Sequence, residues 1–233
     1  MDEDKRIAYT GPLIVLTNRF SASASEIFAG AIQDYARGVI VGESTYGKGT
    51  VQSVIDLKRY INAADVGDLK LTFQKFYRVS GSSTQHRGVT PDVALPSALS
   101  QKQFGESSNP SALPWDVIKS AAYQKSKDVN EKLIASLNKM YAERLTSDAK
   151  LKRCVSETED LKKNLLETKV SLNEAKRKQE IDEAEKKKAL YEKLDIKLPS
   201  KEGLSDTDFQ RMDDEYLRES LLILTEMANR RIG

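Results

Sequence analysis

The chain has 233 residues, 31% charged and 39% hydrophobic, which suits a soluble protein with a core and allows one large domain or two small ones. A formal net charge of +2 gives no general attraction to nucleic acid or to an anionic membrane surface. No apolar run reaches the ~20 residues of a membrane span, and a lone cysteine, Cys154, excludes an internal disulfide framework.

The first twelve residues, MDEDKRIAYTGP, are polar and lack the apolar stretch of a signal peptide. "LIVLT" (Leu13 to Thr17) is a short apolar run suited to a buried strand. Ser23 to Tyr35 has helical spacing, with Ile27, Phe28, Ala31 and Ile32 expected on the packed side. "GVIVGE" (Gly38 to Glu43) predicts a second buried strand, so the order is βαβ and the two strands are expected to be parallel. "TVQSVIDL" alternates, with Val51, Ser53, Ile55 and Leu57 on one face, and Leu69 to Ser80 is rich in β-branched and aromatic residues. Gly81-Ser82-Ser83 predicts a turn, and "RGVTPDVALP" closes this half, since Pro91 and Pro96 do not suit a central strand.

From Ser97 to Pro114 the chain contains serine, glycine and proline with little apolar periodicity and reads as a linker. Helical spacing then takes over. Trp115 to Tyr123 is expected as one helix and Val129 to Leu145 as another. Ser147-Asp148 is expected to cap a third helix carrying Leu151, Leu161, Leu165 and Leu172. Glu174 to Lys188 is dense in both signs of charge, Pro199 to Asp206 is a break, and Asp208 to Ile232 closes the chain as an amphipathic helix. The expected fold class is therefore an α/β portion with a parallel βαβ unit and further strands (1–98), a linker (99–113) and a mainly α-helical C-terminal region (114–233). The charge run lacks a sustained apolar seam, so the flanking helices are expected to pack in cis with a solvated helix between them, rather than as a dimeric coiled coil.

"GESTYGKGTVQ" (Gly42 to Gln52) carries the first chemical signal. One reading is a phosphate-binding loop, which must run directly into a helix. "TVQSVIDL" alternates with a period of two, Gly49 holds the usual Ser/Thr position and bulky Tyr46 lies inside the loop, all of which count against it. A plain turn with a solvent-facing lysine is the other simple reading. Upstream, "RFSASASEIFAGAIQDY" (Arg19 to Tyr35) places serines at a strand-to-helix junction. Free N–H groups and the helix dipole there favour a developing oxyanion, although a serine before a helix is also an ordinary N-cap and Ser21 to Glu26 suits a capping arrangement.

The ordered set "SASASEI", "VGESTYGKGTVQ" and "RGVTPD" resembles the C-terminal processing peptidases, and within them the tail-specific branch. The likeness spans about residues 10 to 98, and "ALPWDVIKSAAY" (Ala112 to Tyr123) looks like the start of that branch's C-terminal extension. The resemblance implies a serine endopeptidase with Ser23 as nucleophile, Lys48 as base and Gln52 orienting the lysine. It implies a supporting role for Asp34, whose place on a helix turn equally suits a solvated carboxylate. The Ala24 backbone N–H would be one oxyanion donor, and no cofactor or metal is implied. The chemistry is consistent: serine needs a base to become nucleophilic, and a lysine can serve only when neutral, the form that burial favours. It also allows a serine protease with a single histidine, His86, which reads as a surface residue in a turn.

By the same resemblance, the substrates are proteins with apolar C-terminal tails, an adaptor protein could bind the helical region, and the parent enzyme is exported to the bacterial periplasm. The family's PDZ domain and the Gly-rich strand end that completes its oxyanion hole have no counterpart here, so the chain is expected to be a C-terminal fragment without full activity. A non-catalytic, binding-only relative is the alternative, against which both Ser23 and Lys48 are intact.

Overall fold

The computed structural model describes residues 6–62, 66–167, 169, 171–192 and 206–232. β1 (Ile14–Thr17), α1 (Ala24–Asp34) and β2 (Val39–Gly42) form the expected βαβ unit. β1 and β2 run parallel, with Ile14 opposite Val39 and Thr17 opposite Gly42. β3 (Thr50–Asp56) and β4 (Asp68–Lys75) make a separate antiparallel hairpin, irregular at Val51/Gln52. β5 (Val93–Ala94), set between the two prolines, joins β2 in parallel, giving the order β1-β2-β5.

Among the described residues four α-helices follow: α2 (Glu131–Ser147), α3 (Ala149–Leu166), α4 (Glu174–Glu192) and α5 (Asp206–Ile232). Asn130 caps α2 by accepting from the Leu133 N–H, and Asp148 caps α3 by accepting from the N–H groups of Lys150 and Leu151. The break expected at 199–205 lies outside the described residues. Among those described, no helix is long and apolar enough to cross a membrane.

Both faces of the three-stranded sheet are covered, as a parallel sheet requires. On one side Ala29 of α1 packs with Ile40 and Val89. On the other, Val39, Val41, Val93 and Leu95 form one core with Leu137, Tyr141, Leu151, Ile223 and Met227 of α2, α3 and α5. The flanking helices therefore pack in cis, and the described side chains of α4 are almost all exposed.

Three expectations need correction. Residues 115–123 are not a helix: their backbone is spent on the 79–83 turn, with the Ile118 N–H donating to Gly81 O (2.8 Å) and the Ala121 N–H to Val79 O (2.9 Å). Gly81, at φ +85°, permits this approach, because a Cβ there would lie 2.2 Å from Ile118 O. The buried face of α1 is Glu26, Ala29 and Gly30, while Ile27 and Phe28 are 49% and 55% exposed. Glu26 turns that face inward because its carboxylate is tied to the loop after β2. Finally, α3 ends at Leu166, and Leu172 lies beyond it fully in solvent.

Candidate active site

Two loops leave the carboxyl ends of adjacent parallel strands, the place where open α/β sheets form their ligand crevices. The loop after β1 opens with Asn18, whose Oδ1 accepts from the N–H groups of Phe20 (3.0 Å) and Ser21 (3.1 Å). It ends at Ser23, the residue before α1. Ser23 sits at φ 56° and ψ −112°, a backbone conformation that a residue with a Cβ rarely adopts. The loop after β2 runs from Glu43 to Gly49 and enters strand β3, not the helix that a phosphate-binding loop needs.

Backbone and side-chain bonds hold the loops together. The Tyr46 N–H donates to Ser21 O at 2.9 Å, and buried Arg19 donates from Nη1 to Thr45 O at 3.0 Å. At the centre is Glu26, fully buried in the first turn of α1. Its Oε2 accepts from the Ser23 N–H and the Lys48 N–H, each at 2.8 Å. The two backbone nitrogens are thus no more than twice that distance apart. Oε1 accepts from the Gly47 N–H at 2.7 Å and from the Thr45 hydroxyl. Burial pushes the Glu26 carboxyl above the usual carboxylate range, and these hydrogen bonds pull it back. Sequence reasoning placed Glu26 only in a capping arrangement. The signal for more was a carboxylate three residues past a candidate nucleophile.

The other expected site residues fall at different depths. Lys48 is half-buried, and its Nζ makes no hydrogen bond or ion pair with a described residue. The N–H of Ala24 has no acceptor among the described residues and sits at the exposed start of α1. Gln52 reaches across the hairpin, its Nε2 donating to Thr72 Oγ1 at 3.2 Å. Asp34 is not solvated: its carboxylate is 9% exposed and takes two bonds from Arg78, at 2.9 Å and 2.6 Å. It ends α1, roughly 16 Å along the helix from Ser23 at about 1.5 Å per residue, so it braces the helix and does not touch the loops. His86 lies in the expected turn, but the reading as a surface residue is corrected. It is half-buried, at φ 63°, with Nε2 out of solvent and unpartnered among the described residues.

Residues 1–95 match peptidase family S41, and residues 99–229, more than half of the chain, match the C-terminal domain of tail specific protease (DUF3340). The chain belongs to the S41 peptidases, in the tail-specific protease branch. Its relatives include bacterial and chloroplastic proteins. It is 38% identical over 240 residues to the tail-specific protease of Haemophilus influenzae, covering 97% of this chain and 34% of that protein. It is 46% identical over 94 residues to the carboxy-terminal-processing protease of Bartonella bacilliformis, covering 40% of this chain and 20% of that one. The S41 chain thus spans about a third of the first relative and a fifth of the second. A solved structure, the photosystem II D1 C-terminal processing protease, is 44% identical over 36% of this chain and 20% of its own. The TM-score of 0.31 is too low for that superposition to carry an argument.

Proposed function

We propose that this chain carries the Ser–Lys catalytic residues of a serine endopeptidase. Ser23 attacks the scissile carbonyl and Lys48 takes its proton, then returns it to the leaving amine and activates water for deacylation. The Ala24 N–H, at the start of α1, is one donor to the developing oxyanion. The observation that carries the reading is the shared acceptor: one buried carboxylate oxygen holds the N–H groups of both Ser23 and Lys48. The strained backbone of Ser23 supports it, as nucleophiles are often held on such turns. Asp34 acts by bracing α1 through Arg78, and Gln52 would orient Lys48 only by leaving Thr72.

The substrates in this proposal are proteins with apolar C-terminal tails, the parent enzyme is periplasmic, and the helical region could take an adaptor protein. These three rest on family membership alone. The test is cleavage of an unfolded protein with an apolar tail by the wild-type chain, Ser23→Ala and Lys48→Ala. Each variant is expected to lose at least about a hundredfold in rate, the low end for a general base, while staying folded. A Ser23→Ala protein that still cleaves would end the nucleophile assignment. The chain alone is also proposed to be less active than a complete relative, and equal specific activity would refute that. A binding-only protein would bind such tails without cleaving them.

A further inference from the structure

We infer that Gln85, held by the segment Gln101–Trp115, is a positioning residue for Lys48, so that the start of the C-terminal region is part of the active site. The inference rests on Lys48 acting as the base.

Lys48 is gripped on both sides by the turn at 85–86. Before it, Gly47 O accepts from the His86 N–H at 2.7 Å. After it, the Gly49 N–H donates to Gln85 Oε1 at 2.8 Å. The fit leaves no slack. Gly47 is at φ +95°, and a Cβ on it would lie 2.9 Å from the His86 carbonyl carbon. Gln85 is fully buried, so its amide needs partners on both ends. Its Nε2 finds one in Leu113 O at 2.9 Å, outside the S41 match of residues 1–95.

The same segment fastens the rest of the turn. Gln101 Nε2 donates to His86 O, and Trp115 Nε1 donates to Ser83 O at 2.9 Å. The Arg87 guanidinium lies 3.4 Å from the Trp115 ring centre. On the other flank of the base loop the Glu106 N–H donates to Tyr46 O at 3.1 Å. Phe104 meets Phe20 of the nucleophile loop edge-on at 4.8 Å. Every one of these donors or rings lies within residues 99–229, or touches it, while both reacting side chains lie before it. A helix-rich extension thus reaches back to fix the backbone on each side of a lysine whose side chain has no partner among the described residues.

The test compares the full chain with Gln85→Leu, Gln85→Glu and Gln101→Ala, each checked for a native far-UV spectrum. Two quantities are read: amide exchange at Gly49 and the kinetic constants for the apolar-tailed substrate. Gln85→Leu is expected to speed Gly49 exchange about tenfold, the factor that one hydrogen bond of ordinary net strength supplies, and to lower kcat with KM held. Gln85→Glu keeps an oxygen for the Gly49 N–H and is expected to restore its protection. Gln101→Ala removes a half-buried side chain outside the core and is expected to lower kcat in the same way. Unchanged kcat in folded Gln101→Ala and Gln85→Leu would overturn the inference. Lys48→Ala separates the two ideas: full turnover there defeats the base assignment, while Gly49 exchange reports on the clamp regardless.

Discussion

Removing the Glu26 carboxylate should loosen the active site and destabilise the fold together. Glu26→Ala deprives four donors of their acceptor: the N–H groups of Ser23, Gly47 and Lys48 and the Thr45 hydroxyl. Hydrogen bonds to a charged acceptor are worth about 1.5–3 kcal/mol each, but water entering the vacated space recovers part of that. Breaking a buried charged network of this kind typically costs about 3–5 kcal/mol. For a chain of this size, with about 2–4 °C lost per kcal/mol, Tm should fall by roughly 6–20 °C. Glu26→Gln keeps the shape but turns an NH2 towards N–H donors, so an intermediate loss of about 2–3 kcal/mol is expected. Turnover should fall further than stability alone explains, because a shift of about 1 Å in reacting groups costs on the order of a hundredfold. Thermal unfolding and steady-state cleavage, measured on the same preparations, read both effects. A Glu26→Ala protein with Tm within about 2 °C of wild type and unchanged kcat would refute the idea that this carboxylate joins the loops.

Ser23→Gly should be inactive yet more stable by about 1 kcal/mol, since glycine accepts the positive φ; Ser23→Ala, which keeps the Cβ, should show no such gain in a denaturant titration. A chain ending at Ala98 should fail to fold, because it bares Val39, Val41, Val93 and Leu95; their burial contributes roughly 6–12 kcal/mol, comparable with a whole domain's stability, and a cooperative melt from that fragment would refute the estimate. Burial pushes the Cys154 thiol from 9.0 up to about 11, so the native state holds that proton longer than the unfolded chain does. Its contribution, roughly 3 kcal/mol, is present below pH 9 and lost as pH rises through about 11; Cys154→Ser should flatten the stability profile in that window, and an unchanged slope would count against it.

The parallel βαβ unit was legible because "LIVLT" and "GVIVGE" are short apolar runs without alternation on either side of a segment with helical spacing, but full burial was read correctly only for β2, since Leu16 of the edge strand β1 is 47% exposed. The helix caps were legible for a local reason, as Asp148 satisfies the orphan N–H groups of α3 with its own side chain. Residues 115–123 were misread because their helical spacing is local while their partners are not. The acceptors that hold them extended, Gly81 O and Val79 O, are remote in sequence. The face of α1 failed similarly. Apolar periodicity favours Ile27 and Phe28, but a carboxylate with four donors waiting outweighs them, and three of those donors come from the loop after β2. Ser23 and Lys48 could be named from motifs; the carboxylate between them showed only its place three residues past Ser23, which a capping Glu and a buried one share.

The proposed nucleophile and base, Ser23 and Lys48, lie on separate loops, so their joint action demands that something fix one loop against the other. In this chain the sheet sets the coarse spacing, since β1 and β2 are hydrogen-bonded neighbours and each loop leaves the same end. Glu26 sets the fine spacing, because its Oε2 holds Ser23 of one loop and Lys48 of the other from a helix turn packed against that sheet. The helical region matters at both levels. Through Leu137, Leu151 and Ile223 it buries the sheet face that α1 leaves open, without which the strands would not hold their register in water. Through Leu113 O and Gln85 the segment that leads into it restrains the base loop from the side that Glu26 does not reach. The core and the loop are thus both stabilised by segments beyond Ala98, which is why loss of everything past Ala98 is expected to remove fold and geometry in one step.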